Sequence, residues 1–130
     1  MDRSAVQAWL DRYVDAWKSY DRADIEALFA EDATYTYHPY DTGDDVVRGR
    51  DAIVQNWLDN RDEAGTYDAH YEPYAVEGDR AVAVGRSLYY SDASKPTRTQ
   101  AFDNCYLLRF DGDGRCVEFT EYFMKEPDGT

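Results

Sequence analysis

The sequence predicts an α+β fold, with helices first and an antiparallel sheet after them. Two observations carry that reading. Up to about residue 60, apolar residues recur at three- and four-residue spacing, the period of an amphipathic helix. From residue 66 onward, apolar and polar residues alternate in long runs separated by Gly- and Asp-rich turns, the signature of neighbouring strands in a meander.

The elements follow in order. Residues 4–20 read as a helix whose stripe is Val6, Trp9, Leu10, Tyr13, Val14 and Trp17, with Ser4 as its cap. Asp21 caps a short second helix over 22–30, with Ile25, Leu28 and Phe29 inside. Residues 33–38 alternate small and aromatic and form a short strand closed by Pro39. After Gly49-Arg50 a third helix begins, capped by Asp51, with Ile53, Val54, Trp57 and Leu58 on its core side. Strands are then expected over 66–76, 80–91, 98–110 and 115–124. The turn Glu77-Gly78-Asp79, the loop 92–97 and the turn Asp111-Gly112-Asp113-Gly114 join them, and residues 125–130 read as a polar tail.

The last hairpin organises the expected site. If Asp111-Gly112-Asp113-Gly114 is the loop, Leu108 meets Val117, Tyr106 meets Phe119, Asn104 meets Glu121 and Phe102 meets Phe123. Alternation puts all eight on one face, apolar and aromatic except for an amide beside a carboxylate. A polar pair in such a face needs partners and fits the lining of a ligand pocket. In the strand 80–91 the large apolar Val82, Val84 and Leu88 are read as inward, which carries Arg86 inward towards Asn104 and Glu121. The opposite face then holds Ser87, Tyr89, Cys105, Leu107, Thr120 and Tyr122, aromatic enough to suggest a homodimer through the outer sheet face. The same register puts Cys105 and Cys116 roughly 13 Å apart, too far for a disulfide, so both are expected to be free thiols.

Composition narrows the function. The chain of 130 residues suits one domain spanning 1–130, and 43% hydrophobic content with twelve tyrosines argues against disorder. A net charge of −13 without a Lys/Arg cluster disfavours nucleic acid and anionic membranes as partners. No apolar run reaches membrane-spanning length and no signal-peptide core is visible, so a cytoplasmic location is expected. There is no HxxxH, CxxC, phosphate loop or nucleotide glycine motif, so no cofactor and no metal are implied. Asp41, Asp44 and Asp45 read as solvated loop, and the Asp-Gly turn lacks the downstream ligands of a calcium loop.

Several stretches resemble a known superfamily. They are Trp9-Leu10-Asp11-Arg12-Tyr13-Val14-Asp15-Ala16-Trp17, the run from Asp24-Ile25-Glu26-Ala27-Leu28-Phe29 to Ala33-Thr34, Gly49-Arg50-Asp51-Ala52-Ile53, and Arg109-Phe110 through Val117-Glu118-Phe119. Together they are similar to the SnoaL-like, nuclear transport factor 2-like superfamily. The resemblance implies a cone, in which a curved antiparallel sheet wraps around N-terminal helices as a cystatin-like α+β barrel with a pocket at its open end. Members include ketosteroid isomerases, polyketide cyclases, scytalone dehydratase and limonene epoxide hydrolase. Against the isomerases, Tyr13 stands at the place of the helix tyrosine. His38 stands where they carry a general base, and Tyr106 where they carry an acidic oxyanion donor. Against scytalone dehydratase, which relies on paired histidines, the chain offers only His38 and His70, and His70 falls on a polar face. Against the Asp-Arg-Asp arrangement of limonene epoxide hydrolases, Arg86 and Glu121 imitate a part, with no second inward acid evident.

The expected catalytic set is therefore Glu121 as acid or base, Asn104 and Arg86 as orienters, Tyr13 as hydrogen-bond donor and His38 as an alternative base. Trp17, Tyr35, Trp57, Phe102, Tyr106 and Phe119 read as core or pocket wall, with core alone the simpler reading for each, and they are the expected wall if a pocket exists. Two functions fit: a cofactor-independent isomerase, cyclase or dehydratase acting on a small, apolar, oxygenated molecule, or a non-catalytic binding or dimerisation module in which Arg86 and Glu121 form a structural pair.

Overall fold

Asp2, rather than Ser4, starts the first helix: its carboxylate accepts from the Ala5 amide at 2.8 Å, and α1 spans Arg3–Ser19. A charged cap also complements the positive end of the helix dipole. The buried face of α1 is Val6, Trp9, Leu10, Tyr13, Val14 and Ala16; of the expected stripe only Trp17 departs, being half-buried. The helix ends at Tyr20, whose φ of 49° is left-handed, and the Tyr20 amide closes the last turn on the Ala16 carbonyl at 2.8 Å. The computed structural model describes residues 1–94 and 97–127. Part of the expected loop 92–97 and the end of the expected tail, 128–130, lie outside the described residues.

The second helix, α2 (Arg22–Glu26), ends earlier than expected because sheet pairing takes over the next residues. The Cys116 amide donates to the Leu28 carbonyl at 2.8 Å, and Phe29 opens β1 (Phe29–Thr36). A short β2 (Val47–Arg48), not foreseen, pairs with Thr34 and Tyr35. Helix α3 (Arg50–Asp59) begins on Gly49, whose φ of 90° few other residues adopt. Asp51, the expected cap, sits in its first turn instead. The strands β3 (Tyr67–Glu77), β4 (Arg80–Tyr90), β5 (Arg98–Phe110) and β6 (Cys116–Lys125) complete one sheet of order β2-β1-β6-β5-β4-β3. The β1–β6 pair is parallel and the other pairs antiparallel. The sheet curves without closing, α1 packs on β3 and α3 on β1. Between them lies Trp9, whose indole donates to the Leu28 carbonyl at 3.0 Å while its ring meets Phe29 and Phe110 edge-on.

The β5–β6 register differs from the expected one. Asp111 and Arg115 close the turn, and a bulge beside Arg109 and Phe110 slides the strands, so Leu108 meets Phe119, Tyr106 meets Glu121 and Asn104 meets Phe123. The slip keeps Phe119, Glu121 and Phe123 on the face that also carries Asn104 and Tyr106. Cys116 lies in the core, opposite Phe110, rather than across from Arg109 on the outer face as the expected register implied, since a bulge reverses alternation on one side of it. Cys105 and Cys116 are both free thiols.

The expectation for β4 is corrected. Ala81, Ala83 and Ser87 are the buried members, while Val82, Val84 and Leu88 are half-buried on the outer face and Arg86 is exposed there. The inner face of β4 is small because two large rings need that space: Tyr71 and Tyr106 lie 4.9 Å apart, edge to face, beneath it. Gly85 marks the tightest point. A Cβ there would stand 2.1 Å from the His70 carbonyl oxygen and 2.5 Å from the Tyr71 ring, so only glycine fits. Ser87 and Tyr89 accordingly leave the expected outer patch and turn inward.

Candidate functional site

The open end of the sheet encloses a cavity of about 540 Å³. Tyr13 from α1, Trp57 from α3, Tyr35 from β1 and Tyr71, Ser87, Asn104 and Tyr106 from β3, β4 and β5 form its buried floor. Around the mouth stand Trp17, Tyr20, Tyr37, Asn60, Asp62, Tyr89, Phe102 and Phe123. Among the described residues the lining holds two carboxylates, Glu121 and Asp62, and no Lys, Arg or His.

Floor polar groups satisfy one another in a fixed direction. The Asn104 amide donates to Glu121 Oε2 at 3.4 Å, across the diagonal of the ladder. Its own oxygen accepts from the Ser87 hydroxyl at 2.8 Å, and that hydroxyl lies 2.5 Å from the Tyr71 hydroxyl. Since Ser87 spends its proton on Asn104, Tyr71 must be the donor to Ser87. The amide is therefore locked with its NH₂ towards the carboxylate. Separately, the hydroxyls of Tyr13 and Tyr35 are 2.8 Å apart; one donates to the other, which leaves one phenolic proton for the cavity.

Burial raises the Glu121 carboxyl to about 7, against the opposing pull of the Asn104 hydrogen bond. The phenols of Tyr13, Tyr35 and Tyr106 are raised well above their usual range, burial first and neighbouring charge second. Tyr71 rises to about 12, chiefly by burial. At neutral pH the cavity thus holds an acid poised between its two forms beside phenols that keep their protons.

Of the expected site residues, Glu121, Asn104, Tyr13, Trp17, Tyr35, Trp57, Phe102 and Tyr106 line this one cavity. Three do not. Arg86 points outward and pairs with Asp103 and with Glu126, each at 3.2 Å, so no Arg86–Glu121 pair exists and the partial Asp-Arg-Asp imitation lapses with it. His38 lies outside the lining; its ring nitrogen meets Asp41 at 3.2 Å and its ring stacks on Tyr40, because the strand it was expected to end stops at Thr36. Phe119 is core, stacked on Tyr35 at 4.2 Å. His70 is exposed, as its polar neighbours implied.

The residues that sequence reasoning missed have different origins. Ser87 and Tyr89 were hidden by the reversed alternation of β4, for which Gly85 was the available signal. Tyr71 shares its face with Tyr67 and was readable from alternation. Asp62 lies in the connection after α3, and no pattern in the sequence marks it. Its Oδ2 accepts from the Trp17 indole at 3.1 Å and from the Tyr20 hydroxyl at 3.5 Å, while its amide donates to Tyr20 Oη at 2.9 Å.

A curved sheet over helices, with an acidic, aromatic cavity at the open end, defines a class of small-molecule pocket proteins. The chain belongs to the SnoaL-like domain family, whose profile matches residues 10–119. Solved structures with this fold include an LEH-like epoxide hydrolase of M. tuberculosis, with a TM-score of 0.66 at 14% identity over 94% of this chain and 84% of that one. A protein of unknown function with a cystatin-like fold from Methylobium petroleophilum PM1 also superposes with a TM-score of 0.66, at 17% identity over 99% and 81% of the two chains. At these identities the likeness concerns the fold. No curated protein sequence matches the chain significantly.

Proposed function

We propose that this protein is a cofactor-independent acid–base enzyme, an isomerase, cyclase or dehydratase, acting on a small, largely apolar molecule that carries a carbonyl or hydroxyl oxygen. The observation that carries the reading is Glu121: an inward carboxylate at the edge of an aromatic floor, held by one amide hydrogen bond and by no cation among the described residues, and titrating near pH 7. Its Oε2 is engaged by Asn104, which leaves Oε1 to face substrate. Ionised Glu121 takes a proton from carbon beside a carbonyl. The free proton of the Tyr13–Tyr35 pair hydrogen-bonds the oxygen on which charge develops, and Glu121 returns its proton to another carbon or to a departing hydroxyl. The dry, raised phenols suit this role because they donate without ionising. The epoxide hydrolysis named for the M. tuberculosis protein is a weaker reading, since the described lining holds two acids and no arginine. The non-catalytic alternative loses its structural ion pair with the outward turn of Arg86.

The test is loss of exchangeable α-protons from a panel of cyclic ketones and enones in D₂O, followed by proton NMR. Wild-type exchange should rise with pH and level off above about 7, as expected of a base. Glu121→Gln should slow it by roughly 10²–10⁴-fold with binding retained. Binding across the panel with no Glu121-dependent exchange would support a carrier instead.

A further inference from the structure

The mouth of the cavity carries its own recognition chemistry. Asp62 is half-buried there and its Oδ2 is aimed by the Trp17 indole and the Tyr20 hydroxyl, yet Oδ1 takes no hydrogen bond among the described residues. A neutral apolar ligand sealing the mouth would strip water from that oxygen and give nothing back. An anion would add repulsion from Asp62 and Glu121, with no basic lining residue among the described residues to offset it. A protonated amine supplies both the missing donor and the opposite charge, and the surrounding rings suit a cation: Trp17 and Tyr89 meet edge to face at 6.1 Å. The chain shows the same preference on its outside, where the exposed Arg61 guanidinium sits 5.4 Å from the centroid of the Tyr20 ring without entering the lining. We infer that the cavity takes a small aromatic or apolar molecule bearing a protonated amine, with the ammonium paired to Asp62 at the mouth and the apolar body on the tyrosine floor.

Both carboxylates act on one space. The phenols of Tyr37 and Tyr89, raised first by burial, are raised further by Asp62 and Glu121 together, so a cation between those rings feels both. The inference deepens the proposed function by naming the substrate class. It rests on that reading only for the cavity being the substrate site, because its contact is Asp62 and not Glu121.

The test is calorimetric titration at pH 7.5 with three ligands of one shape: tryptamine, its neutral analogue tryptophol and the anionic indole-3-acetate. Tryptamine should bind at least about tenfold more tightly than tryptophol, and indole-3-acetate least. Asp62→Asn should abolish the preference, so that tryptamine and tryptophol bind that variant about equally, whereas Glu121→Gln should keep most of it. A preference that survives Asp62→Asn would be mere attraction to a chain of charge −13, and it overturns the inference. So does equal binding of tryptamine and tryptophol, or no binding of tryptamine at millimolar concentration. Asp62-dependent amine binding without any ketone exchange would sink the enzymatic reading alone. Glu121-dependent exchange without amine preference would sink only this one.

Discussion

Glu118 and Glu121 stand on the same strand and have opposite surroundings. Glu118 points outward, is exposed and pairs with Arg109 at 3.0 Å. The outer face repeats that solution nearby, where Arg86 and Arg98 both reach Glu126. Glu121 points into the cavity, where the lining holds no Lys, Arg or His among the described residues and one amide is its hydrogen-bond partner. The sheet sends its arginines to one face and leaves a carboxylate alone on the other. The difference teaches that the neutral-range titration of Glu121 comes from segregation: one guanidinium turned inward would remove it.

The comparison breaks most visibly in stability. Glu121 titrates at about 7 folded against 4.5 for the free side chain, so its raised value favours the fold at low pH. That contribution is fully present below about pH 4.5, declines as pH rises and is gone above about 7. Glu121→Gln should therefore stabilise the protein by about 2–3 kcal/mol at pH 8 and by little at pH 4.5, read from denaturant midpoints. Glu118→Gln should change stability by under about 0.5 kcal/mol at either pH. Had Arg86 faced inward to pair with Glu121, removing the acid would destabilise instead, so the sign of the Glu121→Gln effect at pH 8 decides between the two arrangements.

A smaller effect sharpens the inner half. Because Asn104 donates to Glu121, Asn104→Ala should push the carboxyl further up, by roughly half a unit to one unit. Ser87→Ala, which only frees the amide to turn, should push it in the same direction by less. Carbon-detected NMR titration of the glutamate side chains measures both, and an unmoved carboxyl in Asn104→Ala would show the 3.4 Å contact to be inert.

The weakest expectation concerns the outer half. Leu107 and Tyr122 are 41% and 43% exposed on that face, and a homodimer through them is proposed from their size and position. Ser87 and Tyr89 no longer contribute, which shrinks the patch. Light scattering at micromolar concentration should give a dimer mass that tightens with moderate salt and falls to the monomer in Leu107→Glu. A monomer at both salt concentrations in the wild type would end this proposal.

What the sequence disclosed follows from where alternation stayed regular. The stripe of α1 and the run of β5 were legible residue by residue, and both deliver site residues: Tyr13 and Trp17 from one, Phe102, Asn104 and Tyr106 from the other. The β6 side survived for a weaker reason, since the bulge beside Phe110 slid the register without turning Glu121 away. β4 failed because inward residues there were chosen for smallness rather than hydrophobicity, to clear Tyr71. Size alternation at Gly85 was the only trace. Asp62 was beyond reach: its place depends on a connection positioned by Tyr20, a contact between residues that no local period relates.

Tyr20 has a consequence for anyone who would engineer this protein. Helix ends with a left-handed residue favour glycine there, and a non-glycine residue in that conformation gives up roughly 1 kcal/mol. A thermostabilisation screen ranking substitutions by folding energy would therefore select Tyr20→Gly early. The same tyrosine holds the Asp62 amide through its hydroxyl at 2.9 Å. Hardening the helix end would set the mouth acid adrift, so heat tolerance and ligand choice compete for one position.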